Sequence, residues 1–127
     1  MASELRVNTL KDASGNNSIA TSFVAGGSAK AWANFNSTGT LAIRESLNTS
    51  SITDNNTGDY TKNFTNSMSD ADYAPQGAGQ NSAATTLGLI FNPYVLAASN
   101  FRMTFVNEIA GTRDGTQTNT TVQGDLA

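Results

Sequence analysis

Residues 30–73 read KAWANFNSTGTLAIRESLNTSSITDNNTGDYTKNFTNSMSDADY, and the spacing of their apolar side chains decides the fold. In KAWANFN, Trp32 falls on the side of Lys30 and Asn34, while Ala29, Ala31, Ala33 and Phe35 take the other, as alternating side chains of a strand do. Small residues on that second side permit close packing against another layer. Asn36 to Gly39 is a turn by composition. Beyond it Leu41, Ile43 and Leu47 alternate with Ala42, Arg44 and Ser46, which predicts a strand interrupted at Glu45. Ile52 and Thr53 lead into DNNTGD, where Asn55, Asn56 and Gly58 tolerate positive φ, and Tyr60 and Phe64 alternate beyond it. That spacing predicts a hairpin at Asn55 to Gly58.

Towards the N-terminus, Leu5, Val7 and Thr9 alternate with Arg6 and Asn8, and a turn-rich KDASGNNS follows at Lys11 to Ser18. Ile19 to Val24 is expected to continue as a strand until Gly26 and Gly27 break it. Residues 1–27 thus read as a separate arm and 28–127 as the main module. Leu5, Val7 and Leu10 are the arm's candidate docking residues.

Towards the C-terminus, Ser69 to Ser82 reads as a loop, because Pro75, Gly77 and Gly79 disfavour regular structure, with Tyr73 as its anchor. Leu87, Leu89 and Phe91 restore a period of two, and Pro93 is expected to end that strand. Tyr94 to Ala98 reads either as a turn of helix or as a buried loop. Phe101, Met103 and Phe105 alternate with Arg102 and Thr104 in the clearest core-facing strand. Gly111 to Gly115 is a polar turn, and a last strand runs through Thr118 to Val122. Roughly eight or nine short strands with no convincing amphipathic helix predict an all-β fold: an antiparallel β-sandwich or jelly-roll-like module with an extended N-terminal arm.

Composition narrows the function. The chain of 127 residues suits one domain. Charged residues are only 13%, while Ser, Thr and Asn make up about a third of the chain, so its polarity is uncharged. A net charge of −3 with no basic cluster argues against nucleic acid as a partner. With no histidine and no cysteine, the chain lacks a disulfide framework, the thiolate and imidazole zinc signatures, and the Ser-His-Asp and Cys-His triads. It reads as a non-enzyme without cofactor or metal. The charged N-terminus does not suit a secretory leader, and no apolar run is long enough to span a bilayer, so neither secretion nor membrane insertion is expected.

Trp32, Tyr60 and Tyr73 could form a platform for sugar, since an aromatic ring stacks on the apolar face of a pyranose while Asn and Thr supply hydrogen bonds. Buried packing is the commoner fate of such rings. Lys62 shares a strand face with Tyr60 and Phe64, which suggests an edge or subunit contact rather than a dry core. DNNTGD is not a calcium loop of the EF-hand type, which needs Gly at its sixth position and Glu at its twelfth. Asp70 and Asp72 read as solvated turn residues. Gly77-Ala78-Gly79 lacks the setting of a phosphate loop.

The phrases KAWANFNSTGT, SSITDNNTGDYTKNFT and MSDADY together resemble a β-module of bacteriophage tail fibres and other virion surface proteins, written there as KAWVNFNGTGT, SSITDNGTGDYTVNFT and MPDANY. The opening SELRVNTLKDASG is similar to the start of short structural proteins of marine and freshwater phages, cyanophages among them. This chain departs from the pattern at Asn56, Lys62 and Ser69, and in the APQGAGQNS stretch after Tyr73. The resemblance implies a structural virion protein, assembled in the host cytoplasm as a homotrimer. Its arm would dock to other phage proteins of tail or capsid, and its module would act as a short tail fibre or receptor-binding tip in host adhesion. Host surface polysaccharide is then a candidate partner, with Trp32, Tyr60, Lys62 and Tyr73 as candidate glycan or subunit contacts. The alternative is a capsid decoration (cement) protein clamping neighbouring capsid subunits. A carbohydrate-active depolymerase is a third reading, without a carboxylate pair to carry it.

Overall fold

The computed structural model of the chain describes residues 3–81, 88–107 and 111–127. Its N-terminal part is a small hairpin of β1 (Thr9–Lys11) and β2 (Ser18–Ala20), followed by the helix α1 (Thr21–Gly27). The main module begins at β3 (Ala29–Asn36) and continues with β4 (Ala42–Leu47), β5 (Ser51–Asn56), β6 (Asp59–Asn63), β7 (Ala74–Asn81), β8 (Gly88–Ala97), β9 (Asn100–Asn107), β10 (Gly111–Thr112) and β11 (Gly115–Gln123). The strands of the module hydrogen-bond in the order β4-β3-β11-β7-β8-β9-β6-β5, with β10 added beside β9, and the pairings are antiparallel. The all-β, antiparallel expectation holds.

Curling of this path brings its two halves face to face as a sandwich. β7 and β8 pair through Gly79–Leu89 and Gln80–Gly88, so the halves are joined there and diverge beyond. At the other end β4 and β5 are consecutive in the chain, and residues 48–50 carry it from one half to the other. Asn48 takes a left-handed φ of 50° at that corner and clamps it, donating to the Asn66 carbonyl at 3.0 Å and accepting from the Asn66 amide at 2.7 Å.

Alternation builds the core. On β3, Ala31, Ala33 and Phe35 are buried and the residues between them are partly exposed, as the sequence period requires. Phe101, Met103 and Phe105 of β9 are fully buried, and Thr118, Thr120 and Val122 of β11 face them across the sandwich. Rings fill the gap: Phe35 meets Tyr60 edge-on at 5.6 Å, Phe64 meets Tyr73 at 5.6 Å, and Phe91 meets Phe105 at 5.5 Å. Each such ring buried is worth about 1.5–3 kcal/mol by area alone.

The predicted hairpin joins β5 to β6 with Gly58 at φ +66°. Glycine is needed there for a second reason. A Cβ would run into the Arg113 amide nitrogen and lie 2.8 Å from the carbonyl oxygens of Arg113 and Phe105. The last strand also forms, longer than expected at both ends.

Several expectations fail: the strand-like alternation of Leu5 and Val7 forms no strand, since β1 begins only at Thr9, and the expected turn at Gly111 to Gly115 is instead β10, paired with β9, followed by the start of β11 at Gly115. Four more fail for identifiable reasons. Ile19 and Ala20 are strand, but residues 21–24 do not continue it: pairing of β1 with β2 ends at Thr9–Ala20, and with no strand left to bond, the backbone coils into α1. The stretch read as a loop contains β7, which lies between β11 and β8. Its glycines fit because Gly77 sits against the Phe91 ring and the Asn119 carbonyl, and Gly79 against Leu89, leaving no room for side chains. Ser82 and Leu87 fall outside the described residues. Pro93 does not end β8 but pairs with Met103 inside it, where β8 has no β7 partner beyond Leu89, so the proline lies on a stretch with one open edge. Finally, residues 94–97 are neither helix nor loop but strand, bulged at Val95, whose φ is 48°.

Candidate functional site

The four candidate contact residues separate into three inside and one outside. Tyr60 is fully buried, and its hydroxyl donates to Asp114 Oδ1, which also accepts the Gly58 amide at 2.8 Å. Burial first, and this carboxylate second, push the phenol pKa well above its ordinary value. Tyr73 is 6% exposed and donates to the carbonyls of Ala97 at 3.0 Å and Asn100 at 2.8 Å; burial raises its pKa to about 12. Both are core residues with satisfied hydroxyls, so neither presents a ring to a sugar or another subunit.

Lys62 corrects the sequence reading most sharply. β6 lies between β5 and β9, not at an edge, and Lys62 points inward with no solvent exposure. Its neighbours across the sheet are Ile52 and Phe101, and its Nζ donates to Thr120 Oγ1 on the facing sheet at 3.1 Å. Burial lowers its pKa to about 7. The tyrosine, lysine and phenylalanine of YTKNF do share one face, as the sequence indicates, but that face is the core.

Trp32 alone is on the outside. Its strand neighbours on that face are Leu47 of β4, which is 49% exposed, and Thr121 of β11. One row further, Asn34 stands between Glu45 and Asn119, and beyond them on β7 come Ala78, beside Asn119, and Gln76, beside Thr121. The side chains of this row are linked. Arg44 Nη1 donates to Asn34 Oδ1 at 3.3 Å, its Nη2 bonds the Thr116 carbonyl, and Asn34 Nδ2 donates to Asn119 Oδ1. Across Thr121 from Trp32 the face dips into a depression of about 300 Å³ lined by Gln76, Gly77, Ala78, Asn119 and Thr121, with Trp32 outside the lining. Ala78 is its small floor, and no charged side chain lines it.

The opposite outer face carries a constellation that the sequence reading missed. Arg102 grips Asp59 with two bonds, Nε to Oδ1 at 2.9 Å and Nη2 to Oδ2 at 2.6 Å, and Tyr94 donates its hydroxyl to Oδ1 at 3.0 Å. The guanidinium also lies 5.4 Å from the centre of the Tyr94 ring. The Arg102 hydrogen bonds hold the Asp59 carboxyl below its usual pKa. These residues are far apart in sequence, and only strand register, with Asp59 beside Thr104 and Tyr94 beside Arg102, brings them together.

The arm exposes what a core normally hides. Leu5 is 80% exposed, Phe23 is 74% exposed, and Val7, Leu10, Ile19 and Val24 are exposed as well. Among the described residues no group of three or more acidic, His or Cys side chains is placed to hold a metal ion, and no helix is long and apolar enough to cross a membrane. No family model, curated protein or solved structure matches this chain significantly.

Proposed function

We propose that this chain is a structural protein of a phage virion surface: a homotrimeric β-module, held to the particle by its N-terminal arm, that serves as a short tail fibre or receptor-binding tip. The observation that carries the reading is the arm's unsatisfied apolar surface. The module closes its own core from Ala31 onward, whereas the arm leaves Leu5, Val7, Leu10, Ile19, Phe23 and Val24 exposed. Apolar side chains gathered on a short peripheral segment are a demand for a partner surface. The resemblance of residues 30–73 to virion modules supports a phage particle as that partner.

Catalysis is not part of this reading. Asp59 and Asp114, two partly buried carboxylates, are both committed to structural hydrogen bonds. The alternative, a capsid decoration protein, is favoured by one feature: α1 ends at Gly27 and β3 begins at Ala29, so there is no shaft between arm and module. Quantitative mass spectrometry of purified virions separates the two. A copy number in the tens per particle fits a tail appendage, and one in the hundreds fits the capsid lattice. Light scattering that gives a monomer in solution and on the particle would remove the trimer.

A further inference from the structure

We propose that the outer face of β3, β11 and β7 is a binding site for a neutral saccharide, seated in the depression over Ala78 with one sugar face against Trp32. This deepens the adhesion reading and rests on it for the biological role, but the chemistry stands on this face alone.

A sugar ring needs an apolar surface for its C–H face and fixed donors and acceptors for its hydroxyls, without the desolvation cost of unneeded charges. The depression supplies these in adjacent rows. Trp32 stands on the neighbouring strand, across Thr121 from the depression, and is half-buried on the outer face, so its apolar surface is partly open beside the rim. Beside it across the sheet stands Thr121, a hydroxyl, and beside Thr121 stands Gln76, an amide. In the next row Asn119 has its Oδ1 occupied by Asn34, which is itself held by Arg44. This chain of bonds holds the Asn119 amide in place at the edge of the depression, and it is built on strands rather than loops.

The size also fits. About 300 Å³ is at the small end of ligand pockets, suited to one or two sugar units rather than to a protein surface. Ala78 creates that space, since any larger side chain at this outward position would fill it. The lining is amide, hydroxyl and methyl, so the complementary ligand is uncharged; an acidic glycan would find no cation in the depression to offset its desolvation.

The test uses the full chain, fluorophore-labelled, on a printed array of neutral and acidic bacterial polysaccharides, together with Ala78→Trp and Trp32→Ala. Each protein is also checked by thermal unfolding and light scattering. The expected result is binding to neutral glycans that weakens about tenfold or more in both variants, as loss of a stacking or hydrogen-bonding contact would cause. Ala78→Trp should keep its melting temperature and subunit count. If Trp32→Ala fails to fold, Ala78→Trp decides alone, because it adds bulk at an exposed position and removes no contact. The proposal is overturned if no neutral glycan binds, if only acidic ones bind, if Ala78→Trp binds undiminished, or if that variant changes the subunit count, which would assign the face to a second copy of the chain. Adhesion is read separately, from binding to the bacteria that the virion infects. Undiminished cell binding by Ala78→Trp removes this site and leaves the adhesion reading; no cell binding by the unaltered chain removes adhesion, while the array still decides the site.

Discussion

Replacing Lys62 by Met should flatten the pH dependence of stability between roughly pH 7 and 9.5 without unfolding the protein. The lysine is fully buried between Ile52 and Phe101, and its pKa of about 7 is well below the ~10.4 of an unfolded chain. Because the folded-state pKa is depressed, the unfolded chain binds the extra proton throughout this window, and stability must rise with pH by up to about 1.4 kcal/mol per unit. Below the folded pKa both states are protonated and the penalty is at its full value; above the unfolded pKa it has vanished. Between pH 7 and 9.5 the gain comes to about 3 kcal/mol. The window is otherwise nearly empty, since the chain has neither histidine nor cysteine, leaving the terminal amine as the other ordinary titrating group.

Methionine keeps the length and removes the charge. At pH 7 the Lys62→Met protein should be more stable than the parent by about 2 kcal/mol, the range seen when buried charges give way to apolar residues. At pH 9.5 the lysine is neutral, and the variant should be less stable by about 1 kcal/mol, because Thr120 Oγ1 has lost its donor. Urea titrations at fixed protein concentration and ionic strength, read at constant m, measure both differences. Above about pH 10 both proteins should weaken together, since Tyr60 and Tyr73 are held neutral in the fold and ionise on unfolding. The reasoning is refuted if the parent protein shows no rise from pH 7 to 9.5, or if the variant keeps the same slope.

Gly58→Ala should cost about 3 kcal/mol or more, or prevent folding, because it combines a left-handed φ with a backbone collision at Arg113; thermal melts read the loss. Asp59→Asn should lower stability by about 1 kcal/mol at pH 7. The pKa of Asp59 is depressed in the fold, so this difference is fully present above the unfolded carboxylate range and should fade as pH falls through the folded value, as denaturation at pH 7 and pH 3 would check. Removal of residues 1–27 should leave the β circular-dichroism spectrum and melting temperature of the module nearly unchanged, since the buried core begins at Ala31, while abolishing incorporation into virions in a complementation assay.

What was legible in the sequence was what local spacing determines. The buried triplets of β3 and β9 and the hairpin at Gly58 follow from a period of two and from turn chemistry, which act within a few residues. β7 was illegible for the opposite reason. Its proline and glycines are local arguments against a strand, overridden by the Phe91 ring and the Asn119 carbonyl, which come from elsewhere in the chain. Period also identifies which residues share a face without saying which face is inside. Lys62 was correctly grouped with Tyr60 and Phe64, and the usual rule that a lysine marks the wet side then pointed the wrong way. The Asp59–Arg102–Tyr94 knot and the Asn34–Asn119 pair depend on strand register, which no single stretch of sequence encodes.

The buried lysine bears on assembly as well. A core that contains Lys62, Thr118 and Thr120 gives up apolar burial at its centre, and at pH 7 the lysine subtracts further from a fold whose total stability is expected to be modest. Such a module benefits from any partner that binds the folded state alone, because each bound contact shifts the equilibrium by mass action. The arm offers that coupling only if its apolar residues and part of the module are covered by the same partner. α1 runs directly into β3, and Gln123 of the last strand donates to the Gly27 carbonyl at 3.2 Å, so a surface that seizes Phe23 and Val24 also lies against the end of the first sheet. Docking through the arm would then stabilise the module along with attaching it, and the protein in its assembled state should unfold at a higher temperature than the free chain.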